Sequence, residues 1–128
     1  MEMNREQEIK FRKLIAEKVK NDNGELWDEC DHKTFFSSLF EAMDFYVAEY
    51  IDYEGSYQGD YLIFVRDSDV DFDDFYLCRF GYGSCSGCDS IFAAKTINDL
   101  VKLAKDLLFS LKKFNYCEFN SLLGLLGV

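Results

Sequence analysis

The stretch from Phe75 to Ser90, FYLCRFGYGSCSGCDS, limits the choice of fold more than any other part of the chain. An apolar, strand-like run ends at Phe80 and passes into a loop with glycines at 81, 83 and 87. Those glycines release the backbone from the usual steric limits, so the loop can fold tightly around a point. Cys85 and Cys88 stand inside it with two residues between them, and Asp89 follows. Two thiols on such a turn converge on a metal ion or on each other.

The rest of the chain reads as helices around a small sheet. Ile9, Phe11, Leu14, Ile15 and Val19 recur at helical spacing, and Asn21-Asp22-Asn23-Gly24 supplies a stop, so residues 4–20 are expected to form an amphipathic helix. Phe36, Leu39, Phe40, Met43, Tyr46, Val47 and Tyr50 give a second apolar stripe, predicting a helix from Lys33 or Thr34 to Tyr50. Residues 51–60 form a glycine-containing turn. Tyr61 to Val65 and Phe75 to Phe80 then read as a β-hairpin, extended by a third strand if residues 53–58 join it. Thr96-Ile97-Asn98-Asp99 resembles a capping box with Asp in place of Glu and opens a helix to about Phe114. The predicted architecture is one α+β domain over residues 1–128, order ααββα, with about three helices on one face of a small antiparallel sheet. The conformation of the apolar tail after Phe114 is left open.

Length and composition narrow the class. A chain of 128 residues suits a single core, and an apolar content of 48% with 13 Phe and 8 Tyr argues against disorder. No run approaches the ~20 apolar residues of a membrane span, and the charged start MEMNREQEIKFRK lacks the apolar stretch of a secretory signal. These features point to a soluble, cytoplasmic protein. Five cysteines in a reducing compartment are read as metal ligands or redox groups rather than as a disulfide framework.

Zinc is the expected ion, because thiolates two or three residues apart reach tetrahedral spacing from one tight turn. Cys85 and Cys88 supply two ligands, and Cys30 with His32, the sole histidine, supplies the most economical remainder. Asp89, Asp52, Glu54 and Asp60 offer oxygen donors as alternatives. Redox thiols and inert cysteines stay open beside the metal, and His32 is also read as a residue that caps or packs at a helix start. An enzyme reading, a metal hydrolase or thiol catalyst, would use the cysteine pair with Asp60, Glu54 or Asp89 as acid or base. A thioredoxin-like site lacks its alternating βαβ pattern, and a zinc deaminase would need His-x-Glu and Pro-Cys-x-x-Cys where this chain has no proline. Cys78 in a strand and Cys117 in the apolar tail are both expected to be buried and quiet.

Charge is concentrated in the middle. Residues 21–94 hold seventeen acids against three bases, a net of −14, within a chain whose total is −10. Such a surface repels nucleic acid and anionic membranes and attracts a basic protein groove. The turn Asp67 to Asp74 is the densest part, with Asp67, Asp69, Asp71 and Asp73 on one face if extended and Asp74 next to them. It is not an EF-hand loop, because Phe72 and Cys78 occupy the positions that need Gly and Glu. The turn is read either as a partner-binding row of negative charge or as a solvated connection.

Two stretches, EGSYQG at 54–59 and YGSCSGCD at 82–89, resemble a pairing found in small uncharacterised bacterial and phage proteins. The resemblance carries no activity, and it implies that the two segments meet in space. In size, acidity and loop type, rather than by motif, the chain is also similar to phage-encoded anti-CRISPR inhibitors, some of which bind metal. The resulting expectation is a zinc-stabilised acidic inhibitor whose partner is a basic protein surface such as that of a CRISPR effector nuclease, with no direct binding of nucleic acid.

Overall fold

The helices begin where short polar side chains can take up the first free amides. The computed structural model describes residues 1–19, 21–22, 25–26, 30–54, 58–67, 74–83 and 89–127. Asn4 accepts the Gln7 amide at 2.8 Å and the Gln7 side chain answers to the Asn4 amide, so α1 (Arg5–Lys18) opens on a capping box. Its Phe11 and Ile15 are fully buried. A short hairpin, β1 (Asn21–Asp22) with β2 (Glu25–Leu26), follows. Asp31 then accepts the Thr34 amide at 2.6 Å and caps α2 (His32–Ala42).

The helix expected to reach Tyr50 stops at Ala42. Met43 closes it, and Asp44, at φ 55°, takes the left-handed conformation that turns the chain into β3 (Phe45–Glu54). The segment FYVAEYIDYE is dense in aromatic and β-branched residues, which suit a pleated surface better than a helix. The helical spacing of Tyr46, Val47 and Tyr50 was therefore fortuitous, and they are 67%, 51% and 50% exposed.

Strands β4 (Gln58–Asp67) and β5 (Phe75–Gly83) form the expected hairpin in longer form, with Ile63 opposite Cys78 and Val65 opposite Tyr76. Thr96 and Asp99 make the anticipated capping box at the start of α3 (Ile97–Phe109). That helix ends five residues earlier than its spacing suggested, and β6 (Lys112–Phe114) pairs with β5 instead. Asn115 and Glu118 cap a fourth helix, α4 (Tyr116–Leu126), in the apolar tail. The α+β class holds, but the order ααββα is replaced by α1-β1-β2-α2-β3-β4-β5-α3-β6-α4.

The main sheet is antiparallel throughout, in the order β3-β4-β5-β6. Alternation along β4 sends Tyr61, Ile63 and Val65 into a core shared with Phe11, Phe35, Leu39, Leu100 and Leu108 of α1, α2 and α3. Phe64 points to the opposite face, where it meets Phe75 and Phe119, and α4 covers that side. The rings of Phe75 and Phe119 stack at 4.1 Å. Helices therefore lie on both faces, not on one, because Leu122, Leu123 and Leu126 give the tail an apolar side that needs cover. No helix among the described residues is long and apolar enough to cross a membrane.

The antiparallel register also sets the two ends of the sheet. Asp67 and Asp74 lie at one end of β4 and β5, and Gln58 opposite Gly83 lies at the other. The nine residues of β5 place these ends roughly 27 Å apart.

Candidate functional site

His32 sits at the first turn of α2, at the end of the sheet where β5 stops. Its Nε2 lies 2.6 Å from Oδ2 of Asp89, and its Nδ1 lies 2.8 Å from the hydroxyl of Tyr61 on β4. With a neutral ring, Nε2–H donates to the carboxylate and Nδ1 accepts the Tyr61 O–H. The ring stacks on Phe92 at 4.5 Å and meets the edges of Tyr61 and Phe80. Tyr82 lies beside it, with ring centroids 5.4 Å apart, and donates its hydroxyl to Asp52 on β3.

Asp89 is 1% exposed, so its charge needs partners. Besides His32 it accepts the amides of Ile91 at 3.1 Å and Phe92 at 3.2 Å through Oδ1. Three donors thus hold the residue that immediately follows the cysteine segment. On the other side, Tyr50 shares a hydrogen bond with Tyr61. Burial first, then charge repulsion from the Tyr61 phenol and that bond, push the Tyr50 phenol above its ordinary value. A polar chain therefore runs from the half-exposed Tyr50 through Tyr61 and His32 to a buried carboxylate.

Both nitrogens of His32 are engaged, so a metal ion at this ring would have to displace either Tyr61 or Asp89. Cys30 lies elsewhere. It is fully buried in the main core, its Sγ is 3.5 Å from the Asp31 carbonyl oxygen, and burial pushes its thiol up to about 12. A zinc ligand is a thiolate, and that site favours the thiol. Cys85 and Cys88 lie outside the described residues, and among the described residues no three His, Cys, Asp or Glu side chains are grouped to hold a metal ion. Cys78 is buried, as expected, and its thiol is likewise pushed up to about 12 by burial. Cys117 is exposed on α4, against the expectation that the tail would bury it.

Of the acidic row, Asp69, Asp71 and Asp73 lie outside the described residues. Asp67 ends β4, opposite Phe45, and Asp74 pairs with Lys113 at 3.2 Å. These two lie at the far end of the sheet from Gly83. Asp52, Glu54 and Asp60 are acids that the strands carry on the His32 half of the sheet, and Asp60 pairs loosely with Arg79 at 3.7 Å.

Sequence reasoning singled out His32, Asp89 and Asp52, and the fold places all three around one aromatic cluster. It passed over Tyr61, Tyr50 and Tyr82. The available signal is a phenol opening a run, Tyr61 to Val65, whose other side chains carry no polar group, because a buried tyrosine hydroxyl needs a partner. No protein-family model, curated protein or solved structure matches the chain.

Proposed function

We propose that this chain is an acidic binding protein that occupies a basic surface of a nucleic-acid-handling partner, of which a CRISPR effector nuclease is the type, and keeps nucleic acid from loading. The observation that carries this reading is the charge imbalance of residues 21–94, seventeen acids against three bases. Those residues supply strands β3, β4 and β5, and β3 contains Glu49, Asp52 and Glu54 with no base. Burial of the apolar side chains leaves such acids at the surface, as with Asp44, whose side chain is 69% exposed. His32, held by Tyr61 and Asp89, acts in this reading as a strut that fixes Asp89, the residue next in sequence to the cysteine segment.

Zinc belongs to the proposal as the ion that Cys85 and Cys88 would hold, closing the segment between Gly83 and Asp89. Elemental analysis of the purified chain is expected to find about one zinc per chain, lost in a Cys85→Ser/Cys88→Ser variant. A metal-free chain removes zinc and leaves the charge argument standing. The docking test is a competition assay against a basic effector nuclease. Replacing Asp67, Asp69, Asp71 and Asp73 by Asn should weaken binding at least ~10-fold and make the remainder less salt-dependent. An affinity that those four changes leave untouched would refute docking through the acidic turn.

A further inference from the structure

A groove runs between α2 and the edge of the sheet. Lys33, Phe36, Ser37 and Phe40 recur at helical spacing and make one wall, and Val47 and Tyr50 of β3 make the other. They enclose a cleft of about 380 Å³. Val47 and Tyr50 are three residues apart, yet their partners Val65 and Ile63 on β4 are only two apart. The bulge at Ala48 absorbs the extra residue and aims both side chains to the α2 side. Tyr50 is further fixed by its bond to Tyr61.

Strand β3 pairs with β4 along one edge, and no strand covers its other edge among the described residues. Its outward N–H and C=O groups are therefore a template for another extended chain. From Glu49 to Glu54 the register with β4 is unbroken, giving six residues of regular edge. Such an edge beside an apolar cleft has the two parts that strand addition uses: main-chain hydrogen bonds for affinity and a pocket for alternate side chains.

Charge selects the occupant. Side chains of an added strand alternate between faces, so residues that do not enter the cleft emerge on the opposite face. Glu49 stands on that face, opposite Phe64, whereas Lys33 stands on the cleft side. We propose that this groove binds an extended segment of a partner protein by strand addition to β3, with apolar side chains in the cleft and basic ones between them. This rests on reading the chain as a binder of basic proteins, and names the kind of segment bound.

The test uses the full chain and a fluorescein-labelled eight-residue peptide in which valine and lysine alternate. Saturating peptide is expected to slow hydrogen exchange at the outward amides of β3, and N-methylation along one edge of the peptide to abolish binding. Val47→Lys should weaken the affinity about tenfold. If Val47→Lys fails to fold, the N-methylated peptides on the wild-type chain still decide. Absence of binding at millimolar peptide, unchanged β3 exchange at saturation, or indifference to N-methylation overturns the proposal. So does dimerisation of the chain alone through β3, which would make a second copy the occupant. The Asn variant of the acidic turn separates the two readings, because it should lose effector binding while keeping the peptide. Failure of the peptide with effector docking intact sinks the groove alone.

Discussion

Removing the imidazole of His32 would leave the Asp89 carboxylate, 1% exposed, with only the amides of Ile91 and Phe92. A buried charge stripped of its main partner costs far more than a lost neutral hydrogen bond. His32→Ala is therefore expected to destabilise the chain by about 3 kcal/mol. Tyr61→Phe, which deprives Nδ1 of its donor and Tyr50 of its partner, should cost about 1–2 kcal/mol. Urea unfolding of both variants checks the order, and equal losses would mean that Asp89 does not depend on the ring. At this scale the sequence offers His32 and Asp89 as donors to one ion, and the fold sets the two side chains in a direct hydrogen bond. His32 and Asp89 are 57 positions apart, and nothing in their local patterns distinguishes a pair that bonds directly from a pair that shares an ion. Cys30 was equally ambiguous, since only its complete burial separates a core thiol from a ligand.

Element boundaries depended on whether a local signal competed with a longer-range one. The Thr96–Asp99 box was legible because capping is decided within four residues, and Asn115 with Glu118 carries the same signal at α4. The end of α2 was not legible, because aromatic spacing over 36–50 fits a helix while pairing of 45–54 with β4 wins in the folded chain. Strand β6 was hidden for a similar reason, since Lys112–Phe114 gains its conformation from β5 rather than from its own three residues. The cap on α3 yields a pH prediction. Bonds from the amide of Lys95 first, and of Thr96, hold the Asp99 carboxyl below its ordinary 3.8. A carboxyl with a depressed folded value contributes stability above the unfolded value and loses it as pH falls through the folded one. Asp99→Ala should thus cost about 0.5 kcal/mol at pH 7, and the gap from wild type should close in acid below that carboxyl's ordinary range. Thermal unfolding of the pair across pH 2–7 measures it, and a gap independent of pH would assign the loss to something other than the charge.

The whole molecule combines a net charge of −10 with a fold that puts acids at both ends of one sheet. Ends roughly 27 Å apart are mutually screened at ordinary salt, where the Debye length is about 10 Å, so repulsion acts within each end. Opposing it are surface pairs such as Lys10–Asp44 at 4.0 Å, Arg79–Asp60 at 3.7 Å and Lys113–Asp74 at 3.2 Å. Exposed pairs of this kind contribute about 0–1 kcal/mol each and are themselves weakened by salt. Self-repulsion of an unbalanced middle is the larger effect, so added salt should stabilise this chain. Raising NaCl from ~10 mM to ~200 mM is expected to raise its Tm, with most of the gain below ~100 mM where screening changes fastest. The Asn variant of Asp67, Asp69, Asp71 and Asp73 should start from a higher Tm at low salt and respond less. A Tm that falls with salt would place the ion pairs above the repulsion. The acidic surface would then be balanced within the fold, with less unmet charge to draw a basic partner.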